Sequence, residues 1–273
     1  MKAWTQILLL AAVTGGFLLW QHHERRHADE AAWCHGLPVS STGSLRNASL
    51  VLRNHGFSVG YSDVLANPLW VAYRLFPPPY PPPEGRPEAG FRRDDRSLRG
   101  VEPAAFSGTG YQRGHLAPNY AMYRVHGAAS QQDSFLMTNI SPQRPRLNQK
   151  AWQRIEEVVM DHLLPGNGPL CVITGPVFGD SPRILPSGVT VPEAFYKILV
   201  TREPTPRAMA FVVSQDVSGY EPLDRFLVTV DDIEARTGLD FLHTLPDEEE
   251  DSIERAPAQD WGLEAVAENP PRY

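Results

Sequence analysis

The chain opens on an apolar run from Ala3 to Trp20, 18 residues broken only by Thr5, Gln6, Thr14, Gly15 and Gly16. Lys2 precedes it, and Gln21-His22-His23-Glu24-Arg25-Arg26-His27 follows. At helical rise this length sits near the lower limit for crossing a bilayer. The run reads as an uncleaved anchor or a secretory signal peptide. No small-x-small cleavage site directly follows it, so an anchor is the expectation. Positive charge on both flanks leaves its orientation weakly specified. Further on, the pattern shortens to strand-like runs: Phe57 to Tyr61, Leu69 to Phe76, Leu170 to Thr174, Ala194 to Val200 and Ala208 to Val213. Ser134 to Met137 is expected as a short additional strand. Between them, Ala151, Trp152, Ile155, Val158, Val159 and Leu163 recur at helical spacing and predict a helix over 148–164. A short helix is expected over 231–237, with acids in its first turn. Residues 86–110 are polar and loop-like. Strands on both sides of a central helix predict an α+β fold with a central, largely antiparallel sheet flanked by helices.

Composition adds domain limits. A chain of 273 residues that is 42% hydrophobic can bury a core, which excludes global disorder. Two cysteines exclude a disulfide framework and a Cys-rich zinc module. Cys171 lies in a buried-strand candidate, and Cys34 lies in a small, polar stretch. A free buried thiol is therefore expected at Cys171, with a Cys34–Cys171 bridge open only if the domain sits outside the cytoplasm. Pro77-Pro78-Pro79-Tyr80-Pro81-Pro82-Pro83 predicts a stiff extended connector. The resulting division is a leader over 1–27, a tether over 28–45, one domain over 46–245 and an acidic, flexible tail over 246–273.

The net charge of −7 argues at first against a nucleic-acid partner. Charge is unevenly spread, however. Residues 86–154 hold 11 bases and 5 acids, while residues 221–273 hold 15 acids and 4 bases. All the basic residues except Lys2, Lys150 and Lys197 are arginines, which suit bidentate phosphate contacts. Ordinary solvated faces and a GC-rich genome would give the same pattern.

The residues that can carry chemistry stand together in sequence. They are Tyr111-Gln112-Arg113-Gly114-His115-Leu116-Ala117-Pro118, then Met137-Thr138-Asn139-Ile140-Ser141-Pro142-Gln143, Leu147-Asn148-Gln149 and Ile155-Glu156-Glu157. His115 can serve as a general base near neutral pH. Arg113 offers a fixed positive charge to a phosphate. Asn148 can present a hard amide oxygen to magnesium. Glu156 lies eight residues on and about 80° around an ideal helix, within reach of a metal-bound water. Singly, each has an ordinary reading: a surface histidine, an N-cap, a solvated glutamate. Together they form a set suited to metal-assisted phosphodiester hydrolysis.

This set resembles the DNA/RNA non-specific endonuclease family of ββα-metal (His-Me finger) nucleases. The family signature is Asp-Arg-Gly-His, and Gln112-Arg113-Gly114-His115 stands in its place. Asn139 through Gln143, Leu147-Asn148-Gln149, Trp152 and Glu156 match in type and spacing. So do Thr174 through Phe178, Val191-Pro192, Phe195-Tyr196-Lys197, Asp232-Ile233-Glu234 and Thr237-Gly238. The resemblance implies a Mg²⁺-dependent endonuclease, with Mn²⁺ a substitute, that hydrolyses DNA and RNA with little sequence preference and leaves 5′-phosphate ends. It implies that His115 deprotonates the attacking water, Asn148 is the one direct protein ligand of the metal, and Glu156 orients a metal-bound water. It also implies that Arg113 and Asn139 position the scissile phosphate, with Arg86 or Arg92 as a further substrate-binding arginine. A homodimer is compatible with it. The leader adds a membrane contact and places the domain in an exported or anchored setting rather than a mitochondrial one. Gln112 in place of the acid, and Met160 where some relatives carry arginine, depart from the pattern. A catalytically weak nucleic-acid-binding module and a phosphodiesterase for a smaller substrate are the competing expectations.

Overall fold

The computed structural model describes residues 34–82, 89–202 and 205–270. The leader over 1–27 and Arg86 lie outside the described residues. Among the described residues no helix is long and apolar enough to cross a membrane.

The strands are β1 (Val39–Ser40), β2 (Leu50–Asn54), β3 (Phe57–Ser62), β4 (Asn67–Leu75), β5 (Gln112–His115), β6 (Ile140–Gln143), β7 (Leu170–Val177), β8 (Ala194–Thr201), β9 (Arg207–Ser214), β10 (Leu227–Val228) and β11 (Leu239–Asp240). Seven of them form one antiparallel sheet in the order β10-β9-β8-β7-β4-β3-β2. The helices are α1 (Asn119–His126), α2 (Ala128–Ser134), α3 over 147–167, α4 (Val230–Thr237) and α5 (Asp247–Arg255). Helix α3 is continuous but contains widened turns of the i→i+5 kind at Leu147–Trp152 and Val159–Leu163. Such turns are often found at functional sites.

Every residue of β7 and β8 is buried, because helices and loops cover both faces of the sheet. Period-two alternation splits their side chains between two cores. Leu170, Val172, Phe195 and Leu199 face α3, packing with Trp152, Ile155 and Val159. Cys171, Ile173, Tyr196 and Ile198 face the other side, where Ile233 of α4 and Phe241 pack. The five strands predicted from sequence are all present. Ser134 to Met137 is not a strand: it is the end of α2 and the start of a single tight turn, Met137–Asn139.

Three other expectations are corrected. Cys171 is not a free thiol. It is bonded to Cys34 across 137 residues of sequence, with Cα atoms 5.3 Å apart. The described part of the tether is packed: Cys34 is buried, and β1 pairs with β11. The tail is also packed up to residue 270. Its acids form α5, and Trp261, Leu263, Val266 and Ala267 join the core beneath α3. Arg154 of α3 fixes this return. Its guanidinium donates to the backbone oxygens of Asn269, Ala267 and Glu221 at 2.8, 3.0 and 2.9 Å.

Part of the basic stretch is neutralised within the fold. Arg92 pairs with Asp133, Arg93 with Asp95 and Glu102, Arg96 with Asp94, and Arg144 with Asp216. Four of its eleven bases thus serve the fold through ion pairs, and Arg113 stacks on Phe91, a neighbour of His115.

Candidate active site

Strands β5 and β6 form a separate antiparallel ribbon that leads into α3, a ββα arrangement. The ribbon register sets Arg113 opposite Pro142 and His115 opposite Ile140. Gly114 permits this pairing. A Cβ built there would collide with Oε1 of Gln143, whose side chain is fully buried. Any side chain at 114 would have to displace the buried Gln143 side chain across the ribbon.

His115 is held by rings rather than by a carboxylate. Its centroid is 5.2 Å from Phe91 and 5.0 Å from Phe135, edge-on to the latter. Nε2 is shielded and has no hydrogen-bond partner within the protein. Burial pushes the ring's pKa down to about 4. The imidazole is thus neutral at physiological pH and able to accept a proton. Arg113 lies over the opposite partner of this stack, its guanidinium carbon 4.6 Å from the Phe91 centroid.

His115, Asn148 and Glu156 come together around one cavity of about 450 Å³, with Gln149, Trp152 and Met160 among its other walls. The widened turn at Leu147–Trp152 shifts the helical phase between Asn148 and Glu156, so both reach the same cavity. The amide Nδ2 of Asn148 donates to Oε1 of Gln112 at 2.8 Å. That bond spends the amide's donor on the ribbon and leaves Oδ1 as the group with lone pairs to offer. Glu156 has a shielded Oε1 with no hydrogen-bond partner. Burial pushes its carboxyl pKa up, and the ammonium of Lys197 opposes that shift. An amide oxygen and a carboxylate lining one water-accessible cavity suit a hard divalent cation that keeps several waters. The residues present therefore fit the metal that the sequence implies.

Lys197 is a participant whose role its sequence context did not reveal. It lies fully buried in β8, with Nζ 4.7 Å from the Trp152 ring centroid and 3.5 Å from the Tyr73 hydroxyl. Burial pushes its pKa down and Glu156 pulls it back up. The available signal was a single lysine inside the apolar strand Phe195-Tyr196-Lys197-Ile198-Leu199.

Three expected site residues do not line the cavity: Arg113 is exposed, stacked on Phe91 and 3.4 Å from the Pro103 carbonyl it donates to, and Asn139 and Arg92 are engaged elsewhere. Asn139 has no exposed surface. Its side chain accepts from Ala117 N–H and donates to the carbonyls of Ala117 and Ser134, at 2.9, 3.0 and 2.8 Å. It braces the turn after His115, with both ends of its amide engaged by backbone. Arg92 does not line the cavity. It donates to the Gln132 carbonyl and Asp133, and its backbone exchanges bonds with Phe135 and Met137.

The sequence pattern of the DNA/RNA non-specific endonuclease family matches residues 35–248. A nuclease of Nostoc sp. is 29% identical over 75% of this chain and 77% of its own length. A nuclease of Serratia marcescens is 28% identical over 79% of this chain and 83% of its own. Human mitochondrial endonuclease G is 31% identical, over 64% of this chain and 63% of its own length. A crystal structure of the EndoG/EndoGI complex superposes with a TM-score of 0.70 at 20% identity, covering 82% of this chain and 94% of the other, which shows a shared fold. With a ββα site facing one cavity and a family pattern covering most of its length, the chain belongs to the DNA/RNA non-specific endonuclease family, a family of hydrolytic enzymes.

Proposed function

We propose that this protein is a Mg²⁺-dependent endonuclease that hydrolyses DNA and RNA with little sequence preference. The observation that carries the reading is the convergence of neutral His115, the Gln112-oriented Asn148 and buried Glu156 on one cavity. His115 accepts a proton from a water, whose oxygen attacks phosphorus. The bond from phosphorus to the 3′ oxygen breaks and that oxygen takes a proton from a solvent water, leaving a 5′-phosphate and a 3′-hydroxyl. Asn148 Oδ1 would hold the metal directly, and Glu156 would hold one of its waters. A bound Mg²⁺ would supply positive charge at the leaving oxygen. Arg113 adds a fixed charge for the phosphate, positioned by its stack on Phe91.

Family members act on polymers, and the open cavity beside α1 and α3 supports that choice over a small diester. Gln112 supports an active enzyme rather than a weak binding module, because it supplies the acceptor that the Asn148 amide uses. The Cys34–Cys171 bridge and the apolar run over 3–20 support export to an oxidising compartment, with Mn²⁺ as an alternative metal.

The test is cleavage of plasmid DNA and of RNA with and without Mg²⁺, alongside His115→Ala. Loss of a general base should lower the rate by about 10²–10⁴-fold. End analysis should find 5′-phosphates. Equal activity in wild type and His115→Ala would overturn the assignment.

A further inference from the structure

A second cluster of oxygen ligands lies on the far side of the molecule from the cavity, where α5 meets α4. Asp231 and Glu234 stand three residues apart on one face of α4, and Glu254 projects from α5. One carboxylate oxygen from each lies within 4.8 Å of the other two. Calcium binds oxygens at 2.3–2.6 Å, so ligands on a single ion can be about 5 Å apart. The measured spacing is within that limit.

Three carboxylates this close repel one another, so crowding alone would drive them apart. Glu254 is the observation that points to a ligand. Its side chain is only 5% exposed, and its Oε1 is shielded with no hydrogen-bond partner. A buried carboxylate in that state is costly unless a cation or a proton neutralises it. The surroundings do little to do so. Glu234 accepts one bond, from Phe241 N–H at 2.8 Å. Arg255 approaches Asp231 through Oδ2 at 3.5 Å, while Glu250 and Asp240 add further negative charge around Glu254.

We propose that Asp231, Glu234 and Glu254 form a divalent-cation site, separate from the catalytic cavity, whose ligand is calcium and whose effect is to fasten α5 to α4. The donor set is all hard oxygen, without His or Cys, which disfavours zinc and copper. Magnesium requires near-octahedral geometry at shorter distances and keeps most of its waters, so it fits three convergent carboxylates less well than calcium. Waters would complete the coordination on the exposed side formed by Asp231 and Glu234. The site would act on the part of the chain that follows the nuclease core, and it does not depend on the nuclease assignment.

The experiment follows thermal unfolding of the full chain carrying Asn148→Ala, which removes the catalytic metal ligand from the comparison. Calcium at about 100 times its Kd should raise Tm by about 5 °C or more relative to chelator. Adding Glu254→Gln or Glu234→Gln should abolish the rise. Both changes relieve carboxylate crowding, so each variant should match or exceed its parent's Tm in chelator. Should Glu254→Gln fail to fold, Glu234→Gln, at a less buried position, carries the test alone. Absence of a calcium shift in the Asn148→Ala parent would overturn the proposal. So would a shift that survives either glutamine substitution. Glutamine variants that raise Tm while calcium changes nothing would identify shared protons as the resident solution, and would overturn it equally.

Discussion

Nδ2 of Asn148 donates to Oε1 of Gln112 at 2.8 Å, joining the first residue of the β5 ribbon strand to the first turn of α3. The bond fixes which end of the amide faces the cavity. Gln112→Ala removes the acceptor and frees Asn148 to rotate. Loss of an outer partner of a metal ligand lowers metal affinity or activity by about 10–100-fold. The expected outcome is a higher Mg²⁺ requirement in a plasmid-cleavage titration, with cleavage recovered at high Mg²⁺. Gln112→Asp keeps an acceptor and should stay close to wild type. A Gln112→Ala enzyme with an unchanged Mg²⁺ curve would show that the bond has no part in metal binding.

The ring packing of His115 makes a pH prediction. Burial lowers its pKa from 6.5 to about 4. The neutral base form is then retained well below pH 6.5, so the acidic limb of kcat/KM should fall near pH 4 to 5. Stability carries the matching sign. The unfolded chain takes up the proton first, so this histidine costs stability as pH falls from 6.5 towards 4. Wild type should therefore lose stability relative to His115→Ala across that interval. An acidic limb at pH 6.5, with no relative change in stability, would contradict the burial argument.

Legibility in the sequence followed the range of the physics involved. Strands β7 and β8 were readable because a strand covered on both faces is a nearly continuous apolar run, broken in β8 by Lys197. Helix α3 was readable because Trp152, Ile155 and Val159 repeat on one face. Its widened turns were not, since they depend on tertiary packing rather than on local propensity. His115, Asn148 and Glu156 do share a cavity, as their spacing suggested. The bracing bonds of Asn139 were not legible, because a polar side chain that holds buried backbone looks, in sequence, like one aimed at a ligand. The excess arginine between 86 and 154 was partly misread too, because a charge count cannot reveal which acids will fold beside which bases. The pairing of Cys34 with Cys171 joins positions 137 residues apart, a distance at which no local signal operates.

That pairing yields a stability prediction. A bridge closing a loop of this length restricts the unfolded chain, and its removal costs about 2–5 kcal/mol. Cys171 projects onto the sheet face that carries Tyr196 and Ile198, whereas α3 and the cavity occupy the other face. Reduction, or Cys34→Ser with Cys171→Ser, should lower Tm while leaving cleavage at 25 °C close to wild type. Equal Tm values for the oxidised and reduced protein would show that the bridge adds no stability.

Arg154 gives the sharpest test of the packed C-terminal return. It is 2% exposed and satisfies four backbone oxygens, on residues 219, 221, 267 and 269. Arg154→Leu keeps much of the buried bulk but strands those carbonyls without donors. Leaving buried acceptors unpaired costs about 1–3 kcal/mol each, offset where water can enter. The expected loss is about 2–4 kcal/mol in urea unfolding, near the upper range of single substitutions. The return over 256–270 should also become the first segment cut in limited proteolysis, because α3 would no longer hold it. His115 lies in β5, and Asn148 and Glu156 of α3 line the cavity while Arg154 does not, so Mg²⁺-dependent cleavage should persist under conditions where the protein stays folded. Unchanged urea resistance together with an unchanged digestion pattern would mean that Trp261, Leu263 and Val266 alone hold the return in place.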